Sequence, residues 1–199
     1  MYDPARSSQK PAHHHAVQFY GSDDSLCRTV AGFLAEGLTA QQPAIVIATK
    51  PHREAIIERL CDRLIDCEKA IKEGDLVILD ADETLDLFMV DRMPNSALFD
   101  TNLGRVIDQT LNGRKGTVIR AYGEMVDVLW KTGQTEAAIA LEILWNRLAL
   151  KYHFALLCGY SMGSFYKQTK QLEAVCAQHT HVVPSDSKVV PFRREKKLA

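Results

Sequence analysis

A chain of 199 residues suits one domain with a real core and leaves too little for a second full domain. At 46% hydrophobic and 25% charged it reads as an ordinary globular protein, and a net charge of −1 excludes a general nucleic-acid or membrane-surface binder. Five cysteines without a CxxC pair build neither a disulfide framework nor a zinc ribbon, residues 1–10 contain no signal-peptide core, and no run approaches the roughly 18 apolar residues of a membrane span. A soluble, cytoplasmic protein is expected.

Taken in chain order, residues 1–12 read as a flexible arm. His15 to Tyr20 (HAVQFY) forms a strand, and Gly21 to Asp24 forms a turn and helix entry. Leu26, Val30, Phe33 and Leu34 then mark one face of a helix that Gly37 closes. Ala44 to Thr49 (AIVIAT) is a continuous apolar run, typical of a parallel strand covered on both faces. Thr49 and Pro51 open a helix with Ile56, Ile57, Leu60 and Leu64 inward.

A third strand, Asp75 to Ala81, ends in Asp80, Asp82 and Glu83, with Asp82 placed to cap a short helix from Glu83 to Met89. Arg92 to Asn95 reads as a loop, and Ser96 to Leu111 as a helix with Leu98, Phe99, Leu103, Val106 and Ile107 inward. The Asn112, Gly113 and Gly116 turn leads to the stretch TVIRAYGEMVDVLW from Thr117 to Trp130, a strand followed by a helix start. Gly133 breaks that helix; Thr135 to Ala149 forms the next, with Ala137, Leu141, Leu144 and Leu148 on one stripe. Phe154 to Tyr160 is a fifth strand, a last helix runs from about Gly163 to Ala177, and His181 to Pro184 can add a short strand. Residues 185–199, containing FRREKK, read as a flexible basic tail.

Strands alternating with helices predict an α/β fold of three layers, a mainly parallel sheet with helices on both faces. Ligands bind at the carboxyl ends of such strands. There Glu124 and Asp127, three apart on a helix start, are either acids that favour the helix dipole or the polar rim of a site.

The loop after the first strand, FYGSDDSLC, has one glycine, no lysine and two carboxylates that would repel phosphate, so it is no P-loop, although Asp80 after its apolar strand imitates a magnesium-assisting acid. No GxSxG, HExxH or GxGxxG occurs, and no catalytic residue is assigned. His13, His14 and His15 cannot converge on one metal, because strand neighbours face opposite sides; His15 is a ligand contact or a hydrogen-bonded structural residue. His179 and His181 can share a face, but no third ligand is specified, so neither metal nor cofactor is assigned.

The ordered blocks HHHAVQFYGSDDSL, FLAEGL, IVIATKPHREAI, VILDADETLDLFMVD, VIRAYGEMVDVLW, ALEILWNRL and FALLCGYSM resemble the MEDS domain, the sensory domain named after methanogens, methylotrophs and the regulator DcmR, over about residues 13–185. The resemblance implies a core akin to the RecA and KaiC-like ATPases without their P-loop, and a role in sensing simple hydrocarbon derivatives. Family positions fall on His15, Phe19, Tyr20, Asp80, Asp82, Arg120, Gly123, Glu124, Met125, Glu142, Trp145 and Asn146. With no attached helix-turn-helix or kinase domain, a separate histidine kinase or transcription regulator is the expected partner, with no direct contact to nucleic acid. A homodimer is compatible with this.

The expected small organic ligand would sit at the strand ends among His15, Tyr20, Asp80, Arg120, Tyr122, Glu124 and Trp145. Two other readings stay open: a ligand-free interaction module of a two-component pathway, and a nucleotide-binding protein using Asp80, Glu124 and Arg120 with an altered phosphate loop.

Overall fold

A computed structural model describes residues 14–165 and 169–183, with the backbone of residues 190–191. His13, the arm at 1–12 and the rest of the tail at 185–199 lie outside the described residues.

The elements run β1 (His14–Tyr20), α1 (Asp23–Thr39), β2 (Ala44–Ala48), α2 (Lys50–Cys61), α3 (Cys67–Glu73), β3 (Leu76–Asp80) and α4 (Ala81–Asp86). The short strands β4 (Met89–Val90) and β5 (Met93–Pro94) precede α5 (Ser96–Leu111), β6 (Ile119–Gly123), α6 (Met125–Lys131) and α7 (Thr135–Leu148). Then come β7 (Phe154–Ser161), a 3-10 turn at Met162–Phe165, α8 (Thr169–Gln178), β8 (His181–Val183) and β9 (Val190–Pro191).

The main sheet has the order β3-β2-β6-β7-β1-β8-β9. Its six strands from β3 to β8 pair in parallel, and β9 adds an antiparallel edge. Helices cover both faces, which is why all five residues of β2 are buried. On one face α1, α2 and α3 pack over Ala16, Val46, Tyr122 and Leu157. On the other, α4 to α8 pack over Val17, Ile45, Ala121 and Leu156. The expected three-layer α/β architecture is the one observed. No helix among the described residues is long and apolar enough to cross a membrane.

Several local expectations change. Gly37 does not close α1, which continues to Thr39; it lies buried where a Cβ would come within 2.3 Å of Arg120 Cγ, so its role is close approach. Leu64 is 93% exposed, because α2 ends at Cys61 and the chain turns at Leu64 through a left-handed φ of 63°. The cap of α4 is Asp80 rather than Asp82: its Oδ1 accepts from the backbone N of Asp82 (2.9 Å) and Glu83 (3.1 Å), a contribution of about 1 kcal/mol.

The expected loop at Arg92 to Asn95 is a hairpin of β4 and β5, turned by left-handed Asp91 and Arg92, and Asn95 caps α5. Along α5, Phe99, Leu103 and Ile107 are buried, whereas Leu98 is exposed. Over the predicted last helix the described residues form the 3-10 turn and α8, and the seven-residue α3 is an element that the sequence pattern did not mark.

Candidate functional site

Strand order brings the carboxyl ends of β1, β2, β6 and β7 side by side, and a network of buried polar groups sits there. Glu124, which follows β6, is tethered through its backbone N to Ile47 O of β2 (3.0 Å). Its carboxylate accepts from Thr49 N at 2.7 Å and from the Tyr122 hydroxyl at 3.0 Å, and meets His52 Nδ1 at 2.6 Å. His52 Nε2 in turn lies 3.3 Å from Asp23 Oδ1, at the exposed start of α1. Thr49 is the residue before α2, so the same carboxylate anchors that helix to the end of β6.

Asp127, one turn into α6, belongs to a second group. Its Oδ2 accepts from the Tyr20 hydroxyl at 2.7 Å and lies 2.8 Å from Lys131 Nζ, while its Oδ1 accepts from Ser161 N at 2.9 Å. Lys131 also donates to the Tyr20 oxygen at 3.0 Å and keeps half its side chain in solvent. Both acids stand at the start of α6 as expected, Glu124 at the N-cap position and Asp127 in the first turn. Glu124 makes no side-chain capping bond, and both carboxylates are buried against different partners.

Electrostatics follow from these contacts. The hydrogen bond from Glu124 raises the pKa of His52 above its ordinary value, ahead of the opposing effect of burial. Burial would raise the Glu124 carboxyl, but the His52 hydrogen bond and charge, with Thr49 N, hold it below the usual range. Burial, then the neighbouring carboxylates, push the Tyr20 and Tyr122 hydroxyls up, so both remain donors. At neutral pH the network is a set of fixed donors aimed at two carboxylates, and it opens towards solvent at Asp23 and Lys131.

Of the seven residues expected to meet a ligand, Tyr20, Tyr122 and Glu124 join this edge. Asp80 ends β3 and accepts from Arg53 at 2.6 Å while capping α4. Arg120 lies at the opposite end of the sheet, paired with Ala44 at the start of β2. Its Nε donates to Gln42 at 2.9 Å and its guanidinium sits 5.0 Å above Phe33. Trp145 is 3% exposed, packed edge-on to Phe99 and Phe154, and serves the core. His52 and Lys131 were missed; the signal available for His52 was its place in the first turn of a helix that follows a buried strand.

His15 points to the other face of the sheet, where it meets Glu142 of α7, Cys158 of β7 and His179 beyond α8. All four are buried. His15 Nε2 is 3.2 Å from Glu142 Oε2 and 3.3 Å from Cys158 Sγ; His179 Nε2 is 3.3 Å from Glu142 Oε1. The Tyr160 hydroxyl donates to Glu142 Oε1 at 2.9 Å. Among the described residues this is the one place where three or more His, Cys, Asp or Glu side chains bring donor atoms together.

A cavity of about 280 Å³ lies elsewhere, between α1 and the β1–β8 side of the sheet. Ala16, Phe33, Leu157 and Val183 supply its apolar wall, and His14, Arg28, Thr29, Glu36 and Arg63 its polar groups, beside Gly32. None of the seven expected ligand residues lines it.

Over residues 14–180 the chain matches the family model described as MEDS, the MEthanogen/methylotroph, DcmR Sensory domain. No curated protein matches it.

Proposed function

The chain belongs to the MEDS family of sensory domains, and from that premise we propose that it receives a small, weakly polar organic ligand and passes the event to a separate output protein. The partner is of the histidine-kinase or transcription-regulator class. The observation that carries this reading is the cavity beside α1. It suits a small molecule, with an apolar wall on one side and, on the other, polar groups including Arg28, Glu36 and Arg63 to fix orientation.

Its position supports signalling, because α1 connects the cavity to the carboxyl edge. Arg28 lines the cavity and pairs with Asp24, one turn earlier in α1. Asp24 also meets Arg59 of α2 at 2.5 Å, and Asp23 beside it meets His52. A ligand that draws Arg28 inwards alters the α1–α2 contact and the start of the Glu124 network. Binding signals only through such a difference between two conformations.

Calorimetry with short alcohols, carboxylic acids and halogenated hydrocarbons tests this. Saturable heat is expected for at least one class, and Gly32→Leu, which places a side chain in the cavity without a backbone clash, abolishes it. A flat response across the panel with the folded wild-type protein overturns the reading.

A further inference from the structure

On the face of the sheet opposite that cavity, the structure brings together two imidazoles, a carboxylate and a thiol from residues 15, 142, 158 and 179, and their arrangement points to a metal. The four donor atoms lie within 4.8 Å of one another. A tetrahedral zinc-type ion with bonds of about 2.0–2.3 Å spaces its ligands by roughly 3.3–3.6 Å. His15 Nε2, Cys158 Sγ and Glu142 Oε2 are separated by 3.2, 3.3 and 3.7 Å, and His179 Nε2 stands 3.3 Å from the other carboxylate oxygen, Oε1, within the same 4.8 Å span.

The surroundings fix which nitrogens face inward. Asn146 donates its Nδ2 to Gln178 O at 3.0 Å, which leaves its Oδ1 to accept from His15 Nδ1 at 3.0 Å. His179 Nδ1 is 2.8 Å from Val175 O, which can only accept. In its neutral form each imidazole spends its N–H outward and turns the lone pair of Nε2 towards the carboxylate, the arrangement found behind metal-bound histidines. His179 Nε2 is buried and makes no hydrogen bond, although Glu142 Oε1 is 3.3 Å away.

With both inward nitrogens unprotonated, their lone pairs face the Glu142 carboxylate, towards which the Cys158 thiol also donates at 3.7 Å. A divalent cation resolves this. The thiol releases its proton to solvent on binding. Thiolate and carboxylate then neutralise the ion, so the buried centre carries no net charge. The Tyr160 hydroxyl, donating to Glu142, orients the carboxylate.

We propose that His15, Glu142, Cys158 and His179 form a closed, four-ligand divalent transition-metal site of zinc type. It joins β1, β7, α7 and the chain after α8, fastening the last helix and β8 to the sheet. It stands independently of the ligand reading, since it uses neither the cavity nor α1.

The test uses the full chain, stripped with a chelator and reconstituted with zinc or cobalt(II). One metal per chain is expected by elemental analysis. The cobalt form should show the visible absorption of tetrahedral coordination and a thiolate-to-cobalt charge-transfer band. Cys158→Ser abolishes that band and weakens binding at least about 100-fold, and zinc raises the Tm of the wild type but not of this variant. Should Cys158→Ser fail to fold, Asn146→Ala keeps all four ligands and is expected to weaken the metal about 10–100-fold through loss of the His15 support. No stoichiometric metal in folded, reconstituted wild type overturns the proposal, as does binding as tight as wild type in folded Cys158→Ser or Asn146→Ala.

Discussion

Replacing Glu124 with alanine removes the shared acceptor for Thr49 N, the Tyr122 hydroxyl and His52 Nδ1, at 2.7, 3.0 and 2.6 Å. The residue is 3% exposed, so water cannot readily take its place. Hydrogen bonds to an ionised carboxylate contribute about 1.5–3 kcal/mol each. They do not add up, because removing the carboxylate also removes several kcal/mol of its own desolvation cost. What remains is a buried histidine and two donors left unpaired, for which breaking a buried pair costs about 3–5 kcal/mol. At about 2–4 °C per kcal/mol for a chain of this size, the Tm should fall by roughly 10 °C.

Urea unfolding followed by circular dichroism measures the loss, with an unchanged slope showing that the unfolding reaction is the same. A double-mutant cycle pairing Glu124→Gln with His52→Gln should give a coupling of about 0.5–3 kcal/mol. The exposed Glu83→Ala serves as control. A loss under about 1 kcal/mol for Glu124→Ala, or additivity in the cycle, would refute the network as a structural unit.

The pH dependence of the same pair has a definite sign. His52 is raised above 6.5, so its stabilisation is complete below that value and is lost as pH rises through the folded pKa; Glu124 is lowered below 4.5, so its stabilisation is present above 4.5 and lost as pH falls through its folded pKa. Stability from this pair should therefore peak between the two, and as pH rises above 6.5 the urea midpoint should fall less steeply in His52→Gln than in wild type. A ring titration of His52 by NMR at or below 6.5 would contradict this. Gly37→Ala should destabilise the protein by about 1–3 kcal/mol despite alanine's better helix propensity, since the new Cβ meets Arg120 Cγ at 2.3 Å. The Gly37→Ala/Arg120→Ala double variant should recover most of that loss, and a neutral single variant would show that Arg120 moves aside freely.

Much of the architecture is legible from the chain alone. The continuous apolar run AIVIA requires cover on both faces and lies in a doubly covered parallel sheet. The four-residue spacing of Phe99, Leu103 and Ile107, close to the 3.6-residue turn, marks α5 over the span the helix occupies, Ser96–Leu111. The ordered blocks point to the sensory family whose model matches residues 14–180. These readings succeed because strand and helix periods are local, and burial of one face is imposed over a few turns.

Local pattern fails wherever a residue answers to something distant. Gly37 looks like a helix stop, but the side chain that excludes a Cβ there comes from residue 120. Leu64 fits the helical stripe, yet the helix has already ended. Trp145 and Glu142 stand three apart on α7; one completes an aromatic cluster and the other faces two histidines. The groups around Glu124 come from three segments, and those around Glu142 from four. No spacing in the sequence encodes either meeting, because each depends on the order in which parallel strands lie across the sheet and on which face each helix crosses. Periodicity tells a segment which side to bury, whereas the lateral order of the strands settles which polar side chains share the dry space behind it.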